Sequence, residues 1–370
     1  MRLFNRHIRI GAAALALASA AAACSGGGAQ EPGTVQIAPG DAEVLGGKAA
    51  VDAMTGLYQA AQRAGQSEVV VYGPGEEDRR PAYDKFEERF PGIEVRGEFF
   101  VGPEMTSKIN QEFATGKHIA DIAQSGDTAI APYLEQNRLE KFVPATAEGL
   151  DPSFRDPDSV VHSSSASTFG ILYNTEQVEA AQAPKGWNDL LDPRWRGRMV
   201  MEDPTKFGGS FGTLNHLMFD GGYDERFVQR LSAQNVHLVA TAAASGTAVA
   251  TGEFPVAATY PYSFYIRDKA KGAPVEFVFP VDGGNHLSPH YLALLSGAPH
   301  PNAAKLLTWL FTPEGQRALA DAGYYPTMPK GPAPGEYPPV DELELLEPFP
   351  IAKVNDISAE NLAAVKEAFK

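Results

Sequence analysis

Only one cysteine, Cys24, occurs among the 370 residues. An intramolecular disulfide is therefore excluded, and an exported chain of this size can fold without one. The apolar run from residue 10 to residue 23 has 14 residues, too short for the roughly 20 that a membrane-spanning helix needs. Positive charge is scarce: 31 Lys and Arg face 46 Asp and Glu, a net charge of −15. A chain this acidic is a poor partner for nucleic acid or an anionic lipid surface. No repeat of solenoid length recurs, which removes the stacked-repeat architectures.

The hydrophobic content of 44%, with 10% aromatic, is enough for a proper core. Arg2, Arg6 and Arg9 precede the apolar run, and small residues follow it. That is the pattern of a signal peptide over residues 1–23. Without it the net charge becomes −18. The remaining 347 residues exceed what one core usually organises, so two lobes are expected. Ala21-Ala22-Ala23-Cys24 resembles the bacterial lipobox, with Ala21 standing where leucine is usual. The resemblance implies that Cys24 is lipidated. The protein is then exported and anchored on the outer face of the cell membrane or in the periplasm. Ser25 after the cysteine favours outer-membrane sorting where an outer membrane exists. Residues 24–47 are Gly-rich with few large apolar side chains. They read as a flexible tether reaching roughly 25–30 Å.

Beyond the tether the pattern becomes regular. Val51, Met54, Leu57, Tyr58 and Ala61 mark an amphipathic helix over 48–64. Strands are expected at 68–72, 93–99 and 119–124, with helices at 77–90, 104–114 and 127–135. The second half continues with strands at 198–202, 236–240, 254–259 and 273–279. Its helices fall at 210–218, 224–234 and 244–251, and 302–311 and 313–322 close the pattern. This alternation predicts an α/β fold with a mostly parallel sheet covered on both faces. Residues 330–350 are rich in proline and acid and should wrap the surface, before a last helix at 358–369 capped by Ser358.

Five stretches in order carry a family resemblance: 68–77 (EVVVYGPGEE) with 90–95 (FPGIEV), 120–127 (ADIAQSGD), 186–204 (GWNDLLDPRWRGRMVMEDP), 271–280 (KGAPVEFVFP), and 298–307 (APHPNAAKLL) with 312–316 (TPEGQ). Together, across residues 68–329, they resemble the extracellular solute-binding proteins of ABC importers, in the ferric-iron, phosphonate and thiamine branch. The resemblance implies a two-lobed periplasmic-binding-protein fold (Venus-flytrap, type II) with a cleft between the lobes. Lobe one would be 48–165 plus 288–329 and lobe two 166–287, with crossovers near 168–173 and 288–295 and residues 330–370 as a C-terminal wrap and helix. It also implies capture of a small solute, either an organic anion such as a phosphonate or phosphate ester, or ferric iron. Delivery goes to an ABC permease, with no cofactor and a monomeric chain.

Candidate ligand residues lie on loops that end strands and open helices, where free N–H groups suit anions. These are Glu76, Ser125, Asp127, Gly209, Ser210 and Ser245. Each also serves turn or capping geometry. Tyr260 and Tyr262 follow a strand where the ferric branch places two adjacent tyrosines. Here the second position of that pair is Ser263. A ferric site would draw on Tyr260, Tyr262 and Glu76, while an organic anion would use the same tyrosines as cleft walls. Tyr324-Tyr325 reads as packing, and Trp187, Trp195 and Trp309 read as core. His286 and His290 would stand about 13 Å apart on a strand, too far for one metal ion.

Residues 208–212 (GGSFG) also satisfy the hydrolase pattern G-x-S-x-G, with Asp282 and His286 following in order. A hydrolase using Ser210 is thus one alternative. The segment 203–208 (DPTKFG) separates the preceding strand from Ser210, however, and an oxyanion loop upstream is lacking. The other alternative is a surface receptor of the same fold without transport.

Overall fold

A computed structural model of the chain describes residues 40–100, 102–335, 338, 342–347 and 349–370. The signal-peptide segment, Cys24 and the tether up to residue 39 lie outside the described residues. All described residues belong to the compact unit Val35–Lys370.

Short helix α1 (Asp41–Val44) and α2 (Lys48–Arg63) lead into β1 (Glu68–Gly73). The β-branched run Val69-Val70-Val71 favours this strand, and its alternate side chains feed two cores. Val69 and Val71 join Ile122, Phe86 and Trp309 on one face. Val70 and Tyr72 join Met105, Ile109 and Ile130 on the other. Then come α3 (Arg80–Arg89), β2 (Glu94–Phe99), α4 (Gly102–Thr115), β3 (Ile122–Ser125) and α5 (Asp127–Glu135).

β4 (His162–Asn174) is the longest strand, and all 13 of its residues are buried. Its first half pairs with β9 (Leu287–Leu294). Its second half pairs with β7 (Val256–Pro261) and β8 (Val275–Val278). Between β4 and β9 run β5 (Met199–Glu202), α6 (Gly209–Phe219), α7 (Glu225–Ser232), β6 (His237–Val239), α8 (Ala242–Ala250) and α9 (Tyr262–Ala270). After β9 follow α10 (Pro301–Leu306), α11 (Pro313–Asp321), β10 (Tyr325–Pro326) and α12 (Val354–Ala368). The sheet order is β2-β1-β3-β9-β4-β7-β5-β6, with β8 and β10 added on β4.

The result is an α/β fold of two lobes. One is built around β2, β1, β3 and β9, the other around β7, β5 and β6, and β4 serves both. The second lobe has its own core, including Trp187, Trp195, Leu214 and Phe227. The three tryptophans are buried, as expected of core residues.

Two features depart from the sequence reading. Pairing is parallel within each lobe, but β4 and β9 run antiparallel to every strand they meet. The sheet is therefore mixed rather than mostly parallel. The segment after Tyr260, for which no helix was expected, is helix α9, and Tyr260 itself belongs to β7. Pro261 sits just before its first residue, where a fixed φ suits a helix start.

Candidate functional site

The middle of β4 lies where the two lobes meet. Ser167 faces Ser288 and Thr168 faces Leu287 across the β4–β9 ladder. From the first lobe, β3 ends at Ser125, and Gly126 brings the start of α5 against Ser288: an added Cβ on Gly126 would stand 3.4 Å from the Ser288 hydroxyl. From the second lobe, β7 ends at Pro261 opposite Phe169. The start of α6 reaches the same place because Gly209 leaves room for the Phe169 ring, which any Cβ would strike. The starts of α5 and α6 thus converge from opposite lobes on one floor formed by 165–169 and 286–289. The lobes also approach at Gly102, where an added Cβ would lie 3.7 Å from the Phe207 carbonyl.

Buried polar atoms normally find partners, so exceptions are informative. Five unpartnered buried atoms lie at the start of α5, on the residues of this floor or on rings stacked against it: Asp127 Oδ2, Ser165 Oγ, Thr168 Oγ1, His216 Nδ1 and His286 Nδ1. Asp127 uses Oδ1 to accept from Thr128 N at 2.6 Å. Burial pushes its carboxyl up to about 6. His286 stacks on Phe169 (5.4 Å) and on His216 (3.9 Å). Burial holds His286 down at about 3. His216 is also held well below its usual value, by burial and then by His286.

Beside the floor lies a charged network that the sequence did not reveal. Arg79 is fully buried. It donates to Glu76 Oε1 at 2.8 Å, to the Pro74 carbonyl at 2.9 Å and to His290 Nδ1 at 2.7 Å. Its guanidinium lies 4.6 Å from the centre of the Tyr324 ring. Tyr83 donates to Glu76 Oε2 at 2.5 Å. Burial pushes the Glu76 carboxyl up, against the pull of Arg79 and Tyr83. Nothing in the charged run 76–80 marks Arg79 as the buried one, since both of its neighbours are charged as well.

The other expected ligand residues are placed as follows. Ser125 is buried and opposite Tyr291. Ser210 shares a 2.5 Å hydrogen bond with Thr259, and its backbone N–H donates to Glu202 at 3.1 Å. The N–H groups of Gly209 and Ala242 also hold down the Glu202 carboxyl, against the stronger effect of its burial. Helices α6 and α8 thus start on the chain's own carboxylate. Ser245 donates to the Ala242 carbonyl at 2.8 Å. Tyr260 donates to Asp268 at 2.5 Å, and burial together with Asp268 holds its phenol protonated. Tyr262 packs among Phe277, Phe279 and Tyr325, its hydroxyl toward the Pro334 carbonyl. Glu76, Tyr260 and Tyr262 are therefore engaged with three different partners and do not converge. Among the described residues no group of three His, Cys, Asp or Glu is placed to hold a metal ion.

The hydrolase arrangement is not assembled either. Asp282 accepts from Trp187 N at 2.5 Å and Asn188 N at 2.9 Å, and Ser210 is bonded to Thr259 rather than to a histidine. His286 and His290 go separate ways, one to His216 and the other to Arg79.

Comparison with known proteins settles the family. The profile of bacterial extracellular solute-binding proteins matches residues 117–355. The chain is a member of that family. This solute-binding protein shares 25% identity over 235 residues with a phosphoglycerate transport regulatory protein, PgtC, of Salmonella typhimurium, covering 56% of this chain and 54% of that one. It spans about half the length of the curated relatives it matches. Iron-bound HitA from Pseudomonas aeruginosa superposes with a TM-score of 0.69 at 21% identity, over 81% of this chain and 99% of that one. AfuA from Actinobacillus pleuropneumoniae, with fructose-6-phosphate bound, gives 0.69 at 19%, over 82% and 98%. These two show the shared two-lobed fold. The family is extracellular, so this member is an exported protein. No helix among the described residues is long and apolar enough to cross a membrane.

Proposed function

We propose that this protein is the solute-binding component of an ABC importer. It captures a small hydroxylated organic anion between its lobes and hands it to a permease. The observation that carries this reading is the convergence of the starts of α5 and α6 on the interlobe floor, with Asp127 Oδ2 buried and unpartnered at the first of them. A phosphate or phosphonate ester offers oxygens to the Thr168 hydroxyl and a hydroxyl donor to Asp127 Oδ2. The Salmonella relative named for phosphoglycerate and the neighbour holding fructose-6-phosphate support that class.

Ferric iron is disfavoured because Tyr260, Tyr262 and Glu76 are committed elsewhere. Ser125, Gly209, Ser210 and Ser245 frame the cleft through the turns and helix starts they build. The lobes run over 48–165 plus 288–329 and over 166–287, with crossovers near 168–173 and 288–295 and hinge closure as the motion. The protein performs no chemistry, acts as a monomer and is tethered through lipid on Cys24.

Thermal unfolding of the soluble body tests the ligand class, with glycerol phosphate, fructose 6-phosphate, ferric citrate and citrate alone. A ligand at 100 times its Kd adds about 2.7 kcal/mol. A rise in Tm with a phosphate ester, lost in Asp127→Asn and Thr168→Val, is the expected result. A rise with ferric citrate only, reversed by chelator, would sink the organic-anion reading. Intact mass of membrane-extracted protein against Cys24→Ser tests the anchor.

A further inference from the structure

The C-terminal tail is fastened to both lobes. Just before β9, Asn285 N donates to the Glu344 carbonyl at 2.6 Å, and Leu346 N donates to the Asn285 carbonyl at 2.9 Å. Glu347 N donates to Asp220 Oδ2 at 2.9 Å. Phe349 then crosses between the lobes. Its ring lies 4.1 Å from that of His216 and 4.6 Å from that of Phe219, both on α6 of the second lobe. Yet it is buried in the first-lobe cluster of Tyr72, Met105 and Ile130, together with Ile351 and Val354.

Helix α12 spans the same divide. Asn355 donates to Glu135 Oε1 at 2.9 Å, at the end of α5. Three residues on, Ser358 accepts from Asn215 of α6 at 2.9 Å, and Asn361 donates to Asn215 Oδ1 at 2.8 Å. Val365 is buried in the second-lobe core, and Ser232 donates to the Ala368 carbonyl at 2.6 Å. Phe169, His286, His216 and Phe349 form one continuous row of rings from the floor to the tail.

We propose that this tail is an interlobe strap that holds the lobes together without ligand and gates access to the floor. The proposal rests on the solute-binding reading above and names a regulation of that same site. Separating α5 from α6 requires Phe349 and α12 to leave one of the two lobes. A buried aromatic side chain and a helix with polar ties at both ends make that release cooperative rather than gradual. Solute therefore enters at the rate of strap release.

Amide hydrogen exchange on the full chain tests this, read by mass spectrometry over 165–169, 286–294 and 354–370. In Phe349→Ala, exchange should rise at least tenfold on the floor and on α12 together. Asn355→Ala removes one polar tie at the first lobe without touching a core, and should move both regions in the same direction by a few-fold. Phe90→Ala, in the first-lobe core away from the tail, should give no selective rise. A tail that exchanges tenfold faster while the floor keeps its wild-type rate overturns the strap.

Stopped-flow tryptophan fluorescence with fructose 6-phosphate and glycerol phosphate separates the two ideas. Equal association rates in wild type and Phe349→Ala would overturn the strap and keep the ligand reading. Absence of binding in every variant, with the floor still responding to Phe349→Ala, would keep the strap and count against the ligand reading.

Discussion

Replacing Asp127 by asparagine should stabilise the ligand-free protein at neutral pH. The carboxyl titrates at about 6 in the fold against 3.8 in an open chain. The folded state therefore binds the proton more tightly than the unfolded state. Stability from this group is greatest below pH 4 and falls as pH rises to about 6. Above that, the buried charge costs the fold about 3 kcal/mol. Asparagine removes the charge and keeps an oxygen for Thr128 N. It also leaves an amide donor where Oδ2 has no partner, which costs about 1–3 kcal/mol. The net gain at pH 7 should be about 1 kcal/mol, or roughly 2–4 °C in Tm. The diagnostic is the shape: the asparagine protein should be the less stable one below pH 4, where Asp127 is neutral, and the more stable one above pH 6, so the two curves of Tm against pH should cross between 4 and 6. Differential scanning calorimetry in matched buffers would measure it. Parallel curves over pH 4–7 would refute the reasoning, since Asp127 would then be no buried, strained acid. A gain in stability joined to a loss of solute affinity is what a binding group, rather than a structural one, should show.

Other consequences can be checked by denaturant unfolding. Arg79→Met leaves Glu76 buried without its cation and should cost about 3–5 kcal/mol, with much of it recovered when Glu76→Leu is added. His286 titrates at about 3 in the fold against 6.5 unfolded. Its share of stability therefore falls as pH drops below 6.5, by about 2 kcal/mol at pH 5, and His286→Phe should flatten that acid limb. Gly246→Ala places a Cβ on the Tyr260 phenol and should cost about 1–3 kcal/mol from overpacking.

The sequence is most legible where local pattern and burial agree. The helix expected at 127–135 is α5 residue for residue, and the strand at 198–202 is β5 within one residue. Helix α9 was hidden because its opening residues, Tyr262-Ser263-Phe264-Tyr265, are weak helix formers. Packing of Tyr262 and Tyr265 against Phe277 decides the matter instead. The 302–311 helix breaks into α10 and a tighter 3-10 turn at Leu307–Phe311, where every side chain is buried and no amphipathic face remains to be read. The floor was legible only in part. Asp127 stands at a helix start that pattern can find. Thr168 and Ser165 lie in a polar run that looks like a surface segment until the two lobes bury it. Arg79 meets His290 across 211 residues and the tail contacts span from 59 to 220, separations that local spacing does not encode.

The strand that joins the first lobe to β4 arrives late. Ser125 gains its sheet neighbour only when the chain has been made as far as Tyr291, after the whole second lobe. Pairings so distant in sequence close slowly. For an exported chain that delay is useful: the first lobe stays incomplete, and the polypeptide threadable, until nearly all of it has been synthesised.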